Sequence, residues 1–292
     1  MIRLRHIAHP IRSTRSLYYS TKSLYYEFNL YLYRRLAERY SRTIRRSRQD
    51  RCWCGGELLP FKWHASYSVC ANCGCYVNQH PPLPEELKRI YSFEAYWHIR
   101  QKMRGYPTIE HRPVNDRSDG RVDYWLGLIE RYGPSKGRVI EIGCAHGVLL
   151  AELKSRGYEC IGVEPDERTA NWAIKNMGLD VRSGLFPGID LPNCDLFLAF
   201  DVLEHSLNPV AFMKSAAKLL NPGGIAIIQV PIECYDYDHP FKARPDFFDD
   251  LEHIFLFTDK AMLKLAALAD LEVINLENGL NTLGQICVLR RI

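Results

Sequence analysis

Asp201, Glu204 and His205 fall within five residues of one another in "LFLAFDVLEHSLNP" (196–209), directly after an oily, strand-like run. Two carboxylates and an imidazole at that spacing can take a proton from an acceptor, or open a helix and satisfy its first N–H groups. A second carboxylate–imidazole pair, Glu252–His253, stands in "FFDDLEHIFLFTDKAM". The candidate bases are therefore His253, His205, Glu252 and Tyr96. His253 leads them, because its segment follows the fifth strand and such loops reach over the acceptor side of a cleft.

"CWCGG…VCANCGC" sets Cys52-x-Cys54, then fifteen residues, then Cys70-x2-Cys73. Four thiolates on two tight knuckles suit a tetrahedral structural zinc ion. The first knuckle holds one residue between its cysteines where zinc ribbons usually hold two, so Cys75 is a spare ligand and His64 a weaker reserve. A closed shell of four cysteines leaves no open position, and no catalysis is assigned to it. The remaining cysteines, Cys144, Cys160, Cys194, Cys234 and Cys287, are scattered through apolar segments, a pattern of buried thiols in a reducing compartment rather than a disulfide framework.

"VIEIGCAHGVLL" (139–150) carries the third chemistry. A strand ends at Glu141-Ile142, Gly143 permits a tight turn, and Cys144, Ala145 and Gly147 let a ligand approach the backbone before a helix starts. Val148 stands where the dinucleotide fingerprint needs its third small residue, so that fingerprint is not met. Glu164-Pro165 closes the next strand, 21 residues after Gly143, where a carboxylate can accept both hydroxyls of a ribose.

These groups need a scaffold, and the rhythm from Arg138 onward supplies one. Strand-like "RVIEIG", "ECIGVEP", "LDVRSG", "CDLFLAF" and "GIAIIQVP" alternate with helical stretches of about ten residues, and "EVINLEN" and "GQICVLRR" follow. Parallel βαβ units with right-handed crossovers are expected, a Rossmann-like, doubly wound, mostly parallel seven-stranded α/β sheet. The expected organisation is a basic arm and helix (1–50), a zinc-ribbon unit (51–80), a helical linker or substrate-side cap (81–137) and a cofactor-binding domain (138–292). Within the cap, helical patterns run over 84–104 and 119–132, joined by the polar loop "EHRPVNDRSDG".

"VIEIGCAHG", "VEPD", "DLFLAFDVLEH" and "LNPGGIAIIQVP" resemble, in order, the motifs of class I S-adenosylmethionine-dependent methyltransferases. The resemblance covers about 138–292. It implies that Gly143–Gly147 cradle the methionine part of the cofactor, that Glu164 holds the ribose, and that Ser183–Leu185 border the adenine. Glu141, Pro165 and Asp201 join the implied cofactor contacts. Ala145 replaces the usual middle glycine, and the acid that many members place after the third strand is missing at "RSGLF". A ribbon before such a domain is similar to sugar C-methyltransferases of surface-polysaccharide and natural-product biosynthesis, and also to ribosomal-RNA methyltransferases with a zinc unit. The sugar enzymes carry Tyr where this chain has Asp250, which puts O-methylation ahead of C-methylation. Ubiquinone-type and small-RNA 2′-O-methyltransferases place acid-x-x-Glu-His at the end of the fourth strand to bind a divalent cation. Asp201, Glu204, His205 and His253 fit that pattern.

Charge separates the partners. Residues 1–50 hold 12 Lys/Arg and 3 Asp/Glu, net +9, so the overall +4 leaves the rest at −5. The arm fits a bacterial basic extension better than a transit peptide, and no apolar core follows it as in a secretory signal. Leu24, Phe28, Leu32, Leu36, Tyr40 and Ile44 form one stripe of an expected helix over 24–46, crowded by arginines. Such a helix can lie on an anionic membrane surface or pack on the body or a partner protein. Residues 51–292 are net acidic and lack a basic stripe, which disfavours nucleic acid. No run reaches a membrane span, so a cytoplasmic, at most membrane-peripheral, chain is expected. The expected function is methylation of a small sugar-containing or polyhydroxylated metabolite. An RNA methyltransferase is the alternative, and a non-catalytic assembly module the third reading.

Overall fold

The computed structural model describes residues 31–62, 64–103, 111–231, 249, 251–279 and 284–292. Its main sheet has seven strands: β4 (Arg138–Ile142), β5 (Glu159–Glu164), β6 (Asp180–Ser183), β7 (Cys194–Phe200), β8 (Leu220–Val230), β10 (Leu271–Asn278) and β11 (Gln285–Arg291). They lie in the order β10-β11-β8-β7-β4-β5-β6. The pairs β8–β7, β7–β4, β4–β5 and β5–β6 are parallel, and β11 runs antiparallel to both of its neighbours. Helices cover both faces, which is why β7 reads as a continuous apolar run with only Asp195 partly exposed.

Chain order reverses direction between β4 and β7, so their carboxyl ends diverge and open a crevice. Local sequence fixes the helices around it. Asp166, Asn208 and Thr258 accept the N–H of the residue three positions on and cap the helices Glu167–Met177, Pro209–Leu219 and Asp259–Leu268. Each such cap is worth about 1 kcal/mol.

The cysteine unit is a four-stranded antiparallel sheet in the order β1 (Leu58–Pro60), β2 (Tyr67–Cys70), β3 (Tyr76–Asn78) and β9 (Phe255–Leu256). Its fourth strand comes from the late segment of the chain, and Cys52, Cys70, Cys73, Cys75 and Val77 share one core with Phe197, Phe212 and Phe257.

The cap departs from its expected form in two places. The described part of the expected helix, 84–103, is a 3-10 turn Pro84–Glu86, a short helix Leu87–Ile90, an eight-residue π-helix Phe93–Arg100 started by the Ser92 side chain, and a short helix Gln101–Met103. The stretch read as a polar loop contains a helix, Arg112–Ser118, opened by Pro113 and buried along Pro113 and Asp116.

Residues 31–41 are helical, and the helix stops there instead of reaching 46. Its expected stripe holds at Tyr40 and Ile44, which pack with Leu87, Ile90 and Tyr91, and fails at Leu32 and Leu36. Ala37 and Ile44 are buried and Tyr33 packs edge-on against His98, whereas Leu32 and Leu36 are exposed. Over 32–37, burial follows contact with His98 and its neighbours rather than the fourfold spacing. Residues 24–30 of the expected helix lie outside the described residues.

Candidate active site at the strand ends

A cavity of about 420 Å³ occupies the crevice. Its floor is the turn after β4. Gly143, at φ 70°, has no room for a Cβ, which would sit 2.6 Å from Val202 Cγ2. Ala145 also takes a left-handed φ, 49°, and its N–H donates to Glu164 Oε2 at 3.1 Å. The helix Val148–Ser155 then starts without a side-chain cap, so its first N–H groups are available to a ligand.

Four carboxylates line this one cavity: Asp116, which pairs with Arg112, and three at the strand ends. Glu164 accepts from Ala145 N–H and Asp166 N–H, both at 3.1 Å, and burial pushes its carboxyl up to about 7. Glu141 is buried, its Oε2 lacks a hydrogen-bond partner among the described residues, and burial, then the nearby Asp116, pushes it up to about 8. Asp201 takes a left-handed backbone conformation just after β7, φ 56°, and is exposed to the cavity. Burial raises its carboxyl, and Gln229 Nε2 donates to Asp201 Oδ1 at 2.9 Å. Carboxylates gathered with too little water are costly to ionise, and a cationic ligand would relieve that cost. The orphaned Glu141 oxygen, the glycine-tight turn and the three acids fit a sulfonium nucleoside bearing an amino group.

Seven of the eight implied cofactor contacts line the cavity: Glu141, Gly143, Cys144, Ala145, Glu164, Pro165 and Asp201, with Gly184 and Leu185 beyond them. Gly147 does not. It sits behind the turn, where a Cβ would collide with Leu179 Cδ1.

The cap supplies walls that sequence reasoning passes over. Tyr91, Trp97, Arg112, Asp116, Arg121 and Trp125 line the cavity together with Tyr96. Trp125 stacks on Phe200 at 4.4 Å and donates its indole N–H to Gln229, continuing the chain to Asp201. Burial, followed by Glu252, Tyr96 and Glu204, holds the Tyr91 hydroxyl far above its ordinary pKa, so it is a donor and not a base. The sequence signal for this wall is the aromatic run "YSFEAYWHIR".

The candidate bases separate. His205 lines the cavity; Glu252 and His253 lie behind it. Glu252, expected as a base, is instead paired with Arg100, which also pairs with Asp249. Both Glu252 and Arg100 are buried, and this pair ties the turn before β9 to the π-helix. His253 folds back to His205 with ring centroids 5.1 Å apart. Ligand atoms of Glu204, His205 and His253 lie within 4.8 Å of one another. Asp201 is not part of this cluster; its carboxylate faces Gln229 and the cavity. Glu204 is fully buried, and neither carboxylate oxygen has a hydrogen-bond partner among the described residues. Burial, then Asp201, pushes its carboxyl far up. His205 Nδ1 donates to the Glu252 carbonyl at 2.8 Å, which turns Nε2 toward Glu204 Oε1 at 3.6 Å. A buried carboxylate without donors beside two imidazoles is a donor set that fits a divalent cation.

The Sγ atoms of Cys52, Cys54, Cys70 and Cys73 also lie within 4.8 Å of one another. Cys52–Cys73 and Cys54–Cys70 stand 3.6 and 3.5 Å apart, near the ~3.8 Å edge of a tetrahedral zinc–thiolate site. Cys75, the spare, packs inward against the Leu256 carbonyl at 3.2 Å. His64 packs edge-on against Tyr67.

Comparison with known proteins gives a consistent picture. The family described as "Methyltransferase domain" matches residues 118–276, just over half of the chain. Ubiquinone biosynthesis O-methyltransferase of Maricaulis maris (strain MCS10) is 26% identical over 159 residues, 49% of this chain and 60% of the relative. The protein of that name from Parvibaculum lavamentivorans is 28% identical over 164 residues, 50% and 61%. The matched stretch thus spans about three fifths of these relatives' own length. Among solved structures, magnesium protoporphyrin IX methyltransferase from Synechocystis PCC 6803 with bound SAH aligns with a TM-score of 0.53 at 14% identity, covering 68% of this chain and 97% of that one. The likeness shows the shared fold.

Proposed function

Because the chain belongs to this methyltransferase-domain family, we propose that it moves a methyl group from S-adenosylmethionine to a hydroxyl of a small, polyhydroxylated, ring-shaped acceptor. The observation that carries this reading is the convergence of Glu141, Glu164 and Asp201 on one aromatic-walled cavity with His205 at its edge. When bound, the cofactor supplies an electrophilic methyl on a sulfonium. Glu164 would hold its ribose and Glu141 its amino group, while Asp201 faces the positive sulfur. Tyr91, Tyr96 and Trp97 give a flat acceptor ring surfaces to stack on, and they exclude water from the path of the methyl.

Oxygen is favoured over carbon by the Glu204–His205–His253 cluster, and by relatives named for O-methylation. A divalent cation there would act as a Lewis acid toward the acceptor hydroxyl. His205, oriented by the Glu252 carbonyl, is the residue placed to take the proton if no cation is present. The four-cysteine cluster is read as a structural zinc site. The segment 31–46 is read as the contact with an anionic membrane surface, supported by exposed Leu32 and Leu36 beside Arg35, Arg39 and Arg42.

The test is transfer of labelled methyl by the zinc-loaded chain to catechols and to hydroxylated glycosides, with the product read by NMR. An O-methyl product is expected. A C-methyl product, or no binding of S-adenosylhomocysteine by calorimetry, would overturn the proposal.

A further inference from the structure

The segment that carries His253 is gripped by the cysteine unit. Asn78 N–H donates to the Ile254 carbonyl at 2.9 Å, and β9 pairs with β3 through Tyr76↔Leu256 and Val77↔Phe255. The Thr258 hydroxyl donates to the Cys73 carbonyl at 2.8 Å. The Tyr67 hydroxyl, on a ring 1% exposed, donates to the His253 carbonyl at 2.6 Å. From the methyltransferase side, Ile254 N–H donates to the Glu204 carbonyl at 2.8 Å and His205 Nδ1 to the Glu252 carbonyl. The backbone of 252–254 is thus held between the two sheets, and it carries the last ligand of the cluster.

A unit that only buttressed the domain would need an apolar face. This one has such a face and in addition directs a buried hydroxyl and a backbone N–H at the carbonyls of His253 and Ile254, beside the residues of the cluster.

We propose that the cysteine unit positions the Glu204–His205–His253 cluster, with Tyr67 as the positioning residue. Metal-held knuckles fix β2 and β3, these fix β9 and the carbonyls before it, and those set the two imidazoles. The geometry of one metal centre then depends on another, through contacts made across 186 residues of sequence. The proposal rests on the reading of the cluster as a cation site, and its test separates the two.

The variant is Tyr67→Phe in the full, zinc-loaded chain, which keeps the ring and removes one hydroxyl. Zinc content is measured, Mn²⁺ binding is followed by electron paramagnetic resonance, and imidazole signals are recorded by NMR without Mn²⁺. Mn²⁺ prefers oxygen and nitrogen donors and leaves the thiolates to zinc. The expected result is unchanged zinc, Mn²⁺ affinity lowered roughly tenfold, and shifted His205 and His253 ring signals with His80 and His111 unmoved. If the wild-type chain binds no Mn²⁺ that His205→Ala removes, the cation reading fails and the ring signals alone decide the positioning role. Ring signals and any Mn²⁺ affinity identical to wild type would overturn the proposal.

Discussion

Replacing Glu164 by Gln tests the cofactor geometry with one atom. Each Glu164 oxygen already accepts a backbone N–H, from Asp166 and from Ala145, and each keeps a further lone pair for a ribose hydroxyl. A hydrogen bond to a charged group contributes about 1.5–3 kcal/mol and one between neutral groups about 0.5–1.5. Two such contacts losing charge should cost about 2–3 kcal/mol, or roughly 30- to 150-fold in affinity for S-adenosylhomocysteine. The amide also points an N–H at a donor, which loosens the turn. Acidity gives a second signature. Burial lifts the Glu164 carboxyl from 4.5 to about 7, so the folded empty protein holds an extra proton between those values. That contribution to stability is full below 4.5 and is lost as pH rises through about 7. Ligand binding favours the ionised form, so wild-type affinity should weaken as pH falls below 7, and the slope should be shallower in the Gln variant. Isothermal calorimetry over pH 6–8 measures both. Wild-type affinity and slope in the variant would refute the assignment of the ribose to Glu164.

Three further outcomes follow from the structure. Arg100→Met should remove a buried cation that pairs with Glu252 and Asp249, lowering stability by about 3–5 kcal/mol in a denaturant titration. Gly56→Ala should lower zinc content, because its Cβ would stand 2.5 Å from Cys70 Sγ and 3.4 Å from Cys54 Sγ; full zinc occupancy in the variant would contradict the knuckle geometry. Binding of the chain to vesicles containing phosphatidylglycerol should fall with added salt and with Arg35→Glu/Arg39→Glu or Leu32→Ser/Leu36→Ser. Equal binding to neutral phosphatidylcholine would dismiss the anionic-surface reading.

The sheet is legible because buried parallel strands write themselves as oily runs, and because Gly143 and Glu164 mark two strand ends at a fixed separation. Local signals stop at the cap. The π-helix Phe93–Arg100 shifts the phase of its side chains, so spacing in "FEAYWHIR" does not tell that Trp97 turns to the cavity and Arg100 to Glu252. Arg112–Ser118 looks like a loop because it buries a proline and an aspartate rather than an apolar stripe. The pairing of β9 with β3 involves two residues at each side and has no periodicity to read. Whether His253 meets Glu204 and His205 is open in the sequence, since that contact is made by carbonyls and hydroxyls drawn together only by the fold. Leu32 and Leu36 spell a packing face by their spacing; tertiary contact chooses Tyr33 and Ala37 in their place.

The most direct test of the cofactor site is a crystal structure of the zinc-loaded chain with S-adenosylhomocysteine. The ribose should lie on Glu164, the amino group near Glu141, and the sulfur should face the wall formed by Tyr91, Tyr96 and His205. A nucleoside bound elsewhere, or a crevice that stays without it at saturating concentration, would contradict the assignment of that crevice to the methyl donor.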